Sequence, residues 1–154
     1  MQTRAIRARN AEQFAIRSKD GIDEATYVSV GGIEQWITIR GQDRANPVLL
    51  FLHGGPADVT NPWTFALFAP WEERFTVVQW DQRGAGRTLR RTGPAVAATL
   101  ILDRIVQDGI EVESPNVSPA SLAQDGSLGS RRAASAHCLK QHGITMVFKE
   151  ASLA

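Results

Sequence analysis

Residues 48 to 53, VLLFLH, are apolar at five successive positions and then stop in Gly54-Gly55-Pro56. A strand that is apolar on both of its alternating sides must be covered on both faces, which is the condition of a parallel sheet layered with helices. A second run of the same kind, FTVVQW at 75–80, stops in Asp81-Gln82-Arg83-Gly84. Between them, 62–75 reads as a helix broken or restarted at Pro70, because proline removes a helical N–H and clashes with the preceding turn. Upstream, ATYVSVG at 25–31 and EQWITIR at 34–40 are β-rich and meet at Gly31-Gly32, predicting a hairpin or tight corner. Downstream of a loop through Pro94, residues 95–113 carry apolar side chains at helical spacing, despite Gly109. Strand, loop, helix, strand, loop, helix is the α/β pattern.

Bulk properties narrow the function classes. The 154 residues are 43% apolar and 21% charged, near the globular average, so neither disorder nor a membrane span is expected. Seventeen Lys and Arg against sixteen Asp and Glu leave a net charge of +1, too little to attract nucleic acid or an anionic membrane. A small molecule or peptide is the expected partner. Cys138 is alone, which excludes an internal disulfide and fits a reducing, cytoplasmic setting. Arg4, Arg7 and Arg9 precede the first acid, Glu12, but no apolar core or cleavage pattern follows them, and no leader is expected. His137 and His142 stand five apart, on different faces of a helix, and neither a metal nor a cofactor is expected.

The chain changes texture at Ser114. Residues 1–113 hold two serines, whereas the 41 residues from Ser114 hold seven, with seven alanines. Ten of eleven aromatics precede that point, so the core is expected there and 114–154 is expected to be an irregular tail. Only ITMVF at 144–148 has the composition of a short strand.

Gly54 and Gly55 sit at the carboxyl end of a parallel strand, the edge where α/β sheets bind ligands. Glycines there let the backbone turn with its N–H groups outward, and two convergent N–H donors stabilise the oxyanion formed when a carbonyl is attacked. A bare Gly-Gly-Pro, taken alone, fits a plain strand-exit turn better. The segments GGIEQWITIRG, NPVLLFLHGGP, PWEERFTVVQWDQRGAGRT and LDRIVQDGIEV, taken together over residues 20–113, resemble the amino-terminal part of α/β-hydrolases of the proline iminopeptidase kind. That resemblance implies an antiparallel first strand pair, then parallel strands with helices, with the HGGP loop after the third strand and the DQRG turn after the fourth. It implies an oxyanion hole at Gly54 and Gly55, with His53 and Pro56 shaping the loop. It makes Asp81, Arg83 and Gly84 a structural turn. Ala57 stands where many members have a further glycine. In full-length relatives the substrate is a small peptide, amide or ester. Arg87, Arg90 and Arg91 lack any phosphate-loop context and read as a solvated face.

The nucleophile is missing. A serine hydrolase needs serine on a G-x-S-x-G elbow, with a histidine and an orienting acid. No G-x-S-x-G occurs, and GSLGS at 126–130 has the letters in another order. Three readings follow: a truncated serine aminopeptidase, inactive as this chain; a non-catalytic binding module of the same fold; or the product of a frame shift after Glu113. In the family's order the third strand lies between the fourth and the fifth, so an incomplete sheet predicts a bare edge at 48–53 and self-association through it.

Overall fold

The computed structural model describes residues 2–54, 59–112, 136–141 and 144–149. In chain order the elements are α1 (Gln2–Gln13), β1 (Ile22–Val30), β2 (Ile33–Gly41), β3 (Val48–Leu52), α2 (Asn61–Phe68), β4 (Thr76–Asp81), α3 (Gly86–Thr92), a 3₁₀ turn (Pro94–Thr99), α4 (Leu102–Val112), β5 (Ala136–Gln141) and β6 (Ile144–Lys149). The six strands form one mixed sheet in the order β1-β2-β4-β3-β6-β5. The class is α/β, as the two apolar runs predicted.

The β1–β2 hairpin closes through Gly31 at φ 57° and Gly32 at φ 76°. Two successive positive φ values make the two-residue turn whose twist matches that of antiparallel strands. β2 pairs antiparallel with β4, and β3 pairs parallel with β4 across the α2 crossover. All six residues of β4 are buried, which is why its sequence does not alternate. One core cluster, on one face of the sheet, joins Ile37, Ile39, Leu50, Val78 and Trp80 to Val112 of α4. The other joins Leu49, Phe51 and Val77 to Phe68 of α2. α2 and α4 thus cover opposite faces, each buried large side chain contributing about 1.5–3 kcal/mol of transfer free energy.

Three expectations need correction. The helix expected over 95–113 is divided at Leu100, whose φ of −83° and ψ of 69° cannot continue a helix. The stretch expected as loop contains α3, GRTLRRT, which has a single large apolar residue, Leu89, and that one is 39% exposed. Its support comes from elsewhere in the fold. The bare edge expected at β3 is not present either. β6 pairs antiparallel with it, Val48 opposite Lys149 through Leu52 opposite Thr145, and β5 extends the sheet beyond. ITMVF is the core of β6, as its composition suggested; its hairpin partner β5 was not anticipated in a Ser/Ala-rich tail.

A polar knot ties the amino-terminal end of the sheet. The Arg40 guanidinium donates to Asp23 and Glu72, and to the Phe14 carbonyl. Burial pushes the Glu72 carboxyl up, against the opposing pull of Arg40. Burial lowers the Arg40 pKa, but hydrogen bonds and charge from Glu72 and Asp23 outweigh it and leave the guanidinium above its ordinary value.

Because β6 satisfies the β3 edge, removing residues 136–149 should convert a covered strand into an open one. The truncated chain is expected to self-associate at concentrations where the parent stays monodisperse by light scattering. Equal behaviour of the two would show that β6 contributes nothing to the edge.

Candidate active-site edge and its supporting lock

The parallel pairing of β3 and β4 brings their carboxyl ends side by side, His53-Gly54 next to Asp81-Gln82-Arg83-Gly84. A two-way clasp joins them: the Gln82 N–H donates to His53 Nε2 at 3.4 Å, and Gln82 Nε2 donates to the His53 carbonyl at 3.0 Å. His53 is buried at 6% exposure. An accepting Nε2 places the imidazole proton on Nδ1 and leaves no nitrogen turned to a substrate as a general base. Gly54 is exposed at the end of the strand. Gly55, Pro56 and Ala57 lie outside the described residues. Below this edge, the Thr64 hydroxyl of α2 shares its one proton between the Thr60 carbonyl, at 2.9 Å, and Gln79 Oε1, with Thr64 and Gln79 both buried.

Asp81 spends its carboxylate on structure. Its Oδ2 accepts from the Arg87 N–H at 2.9 Å, at the amino end of α3, where backbone N–H groups lack partners within the helix. Its carbonyl accepts from the Thr88 hydroxyl, and that hydroxyl oxygen accepts from the Trp36 N–H at 2.9 Å. α3 is further held by Arg87 stacked 4.4 Å over Trp36 and Arg91 5.3 Å over Tyr27, with Arg91 also paired to Glu34 at 2.7 Å. Two of the three arginines of the expected solvated face are therefore engaged with aromatic rings.

Arg83 is the centre of the larger arrangement. It is 2% exposed, and Asp108 of α4 is fully buried. Arg83 Nε donates to Asp108 Oδ2 at 2.7 Å, its Nη1 to Thr99 Oγ1 at 2.9 Å, and its Nη2 to the Gly31 carbonyl at 2.8 Å. Asp108 also accepts from Gln35 Nε2 at 2.8 Å and Arg104 Nε at 2.8 Å, while Gln35 Oε1 accepts from the Trp80 indole at 2.9 Å. Glu111 closes the ring, accepting from the Gly31 N–H at 2.7 Å and from Arg104 at 2.5 Å. The Gly31 N–H and then Arg104 hold its carboxyl below the ordinary glutamate range. A Cβ on Gly31 would lie 2.0 Å from Asp108 Oδ1, so the turn glycine is required by space as well as by its φ. Gly84, at φ 77°, would carry a Cβ 2.8 Å from the Leu100 side chain. The lock thus joins the β1–β2 turn, the turn after β4, and α4.

Sequence reasoning identified Arg83 and missed Asp108, Gln35, Arg104 and Glu111. One signal was available: Gln35 shares the inward register of Ile37 and Ile39, and a polar residue in that register requires partners. Asp108 gave none, because it stands among Ile105, Val106 and Ile110 in a helix whose polar side turns inward.

No acyl-transfer triad stands among the described residues. Their serines are Ser18, before β1, and Ser29, within β1, both exposed. No group of His, Cys, Asp and Glu among the described residues has metal-binding geometry, and no helix among them is long and apolar enough to cross a membrane. A cavity of about 360 Å³ lies at the opposite end of the sheet, lined by Arg7, Asn10, Phe14, Asp23, Arg40 and Phe65. Arg40 and Asp23 are paired with each other there, so the cleft belongs to the polar knot rather than to the glycine edge.

No family model matches the chain, and no solved structure matches it. It is 35% identical over 97 residues to the probable aminopeptidase YbaC of Bacillus subtilis (strain 168), a stretch that is 63% of this chain and 30% of YbaC. The chain therefore spans less than a third of that relative's length and is similar to a peptidase-like protein.

The lock yields two predictions. Asp108→Asn and Arg83→Met should each cost about 3–5 kcal/mol, because each leaves a buried charge uncompensated, and together well below their sum; additive losses in a denaturant double-mutant cycle would refute the coupling. For Glu111 the folded pKa lies below the unfolded value. Its contribution is therefore complete above about pH 4.3 and is lost as pH falls through the lower folded value. Glu111→Gln should be less stable than the parent at neutral pH, with the gap closing on acidification. A gap independent of pH would contradict the assignment.

Proposed function

We propose that the chain carries the oxyanion-forming, amino-terminal part of a serine hydrolase of the α/β-hydrolase fold, of the proline iminopeptidase kind. One observation supports this above the others: His53-Gly54 and the DQRG turn end adjacent parallel strands and are clasped to each other through His53 and Gln82. The antiparallel first pair and the order β1-β2-β4-β3 agree with what the resemblance implies. The likeness to a probable aminopeptidase is consistent with release of an amino-terminal residue by attack on its carbonyl.

In this reading, backbone N–H groups of Gly54 and Gly55 receive the developing oxyanion, and His53 and Pro56 fix the loop's shape. Asp81, Arg83 and Gly84 hold the neighbouring corner without touching substrate. Such a pocket can stabilise a tetrahedral intermediate only if an activated serine forms one. The 154 residues have no G-x-S-x-G elbow, so this chain is inactive on its own. A second reading, an ordered non-catalytic module, draws on the pairing of β6 with β3, which closes the sheet where a further catalytic strand would stand.

A fluorophosphonate probe is expected to label the chain no more than a denatured control; specific labelling would overturn the claim of inactivity. The oxyanion role is tested in a chimera in which the corresponding stretch of this chain replaces the matched stretch of YbaC. Turnover of aminoacyl 4-nitroanilides is expected, and Gly54→Pro, which deletes one N–H donor, should lower kcat by about 10²–10³-fold in a chimera that retains its circular dichroism. An unchanged kcat would remove Gly54 from the oxyanion hole.

A further inference from the structure

The His53 carbonyl and the Gly54 N–H belong to one peptide unit, so whatever fixes the first aims the second. A trans peptide is planar, with its C=O and N–H pointing in opposite directions. Gln82 Nε2 donates to the His53 carbonyl at 3.0 Å from the β4 side of β3. The Gly54 N–H is therefore directed away from β4, toward the other flank of β3, past the last residues paired there, Leu52 and Thr145. Gly54 is exposed, and among the described residues its N–H has no hydrogen-bond partner.

We infer that Gln82 is a positioning residue, holding the His53–Gly54 peptide in the orientation that turns the Gly54 N–H outward as an oxyanion donor. This role rests on the hydrolase reading, since only there does the N–H have an oxyanion to meet. The backbone does not decide the orientation by itself. Turning the peptide over changes ψ of His53 and φ of Gly54, and glycine accepts φ of either sign at little cost. A hydrogen bond is left to choose, and one net bond biases two such orientations by up to about tenfold.

The backbone of Gln82 is itself fixed on both sides. Asp81 before it binds the amino end of α3, Arg83 after it binds Asp108 of α4, and the Gln82 carbonyl accepts from the Ala85 N–H at 2.9 Å. The Gln82 N–H donates to His53 Nε2 at 3.4 Å, so one residue holds both the ring and the carbonyl of His53. A carbonyl requires a donor, which glutamine supplies; ionised glutamate has nearly the same shape and only accepts. The choice of glutamine over glutamate here thus decides which end of the peptide faces inward.

Amide hydrogen exchange of the 154-residue chain, followed by NMR, reads that orientation. The parental Gly54 amide is expected to exchange nearly as fast as in an unstructured peptide, while the amides of the paired residues Ile39 and Val78 are protected. Gln82→Glu should slow Gly54 exchange by about tenfold, because the carboxylate accepts the inverted N–H, and should leave Ile39 and Val78 as they were. A protected Gly54 amide in the parent, or equal Gly54 rates in parent and variant, would overturn the assignment. In the chimera with YbaC, Gln82→Glu should lower kcat by about tenfold with KM within about twofold, and lower it no further once Gly54→Pro has removed the donor. A loss of equal size in both backgrounds would make Gln82 a structural residue only and refute the positioning role. The two readings fail separately: an unchanged kcat in Gly54→Pro alone removes the oxyanion role, whereas unchanged Gly54 exchange in Gln82→Glu removes the role of Gln82 and leaves the hydrolase reading standing.

Discussion

The fold is organised around a charge that has been taken out of water. Arg83 and Asp108 are almost wholly buried, and burial of such a pair is costly unless every remaining donor and acceptor finds a partner. Here each nitrogen and oxygen of the pair is engaged: Thr99 and the Gly31 carbonyl accept from Arg83, and Gln35 and Arg104 donate to Asp108. The pair therefore demands a particular geometry of three separate chain segments, where an apolar contact would tolerate sliding. Polar satisfaction sets the position of α4, and its apolar side is left facing outward as a result.

That arrangement bears on the candidate site from below. The glycine edge is formed by strand ends, and strand ends are only as well placed as the corners that follow them. Asp81 anchors α3, Arg83 anchors α4, and Gln82 between them reaches across to His53. Three consecutive residues thus point in three directions, each fixing a different neighbour. A turn so engaged supports a site without supplying a reactive group to it.

The parts of this fold legible in the sequence are those whose cause is local. VLLFLH and FTVVQW announce doubly covered strands because burial on both faces forbids polar alternation. Gly31-Gly32 announces a hairpin because only glycine adopts two positive φ values in succession at low cost. α3 was hidden because its helix is held by Asp81, Trp36 and Tyr27, none of which lies within it. The inward turn of α4 was hidden because an amphipathic pattern states that two sides differ, and not which of them meets the protein. Of the candidate site, Arg83 was legible as a turn residue. Its partners were not, since Asp108 and Gln35 become a cluster only when segments far apart in sequence meet.

The separation of those segments sets an order of events in synthesis. The Gly31 N–H bonds a residue 80 positions later, and its carbonyl bonds one 52 positions later. At ribosomal rates of about 5–20 residues per second, the Gly31 turn leaves the exit tunnel roughly 4–16 seconds before Glu111 does. A two-stranded hairpin is only marginally stable alone and forms in microseconds, so it opens and closes many times in that interval. Its nascent strands are exposed to chaperones for longest, although in the finished fold its turn is among the most firmly held points.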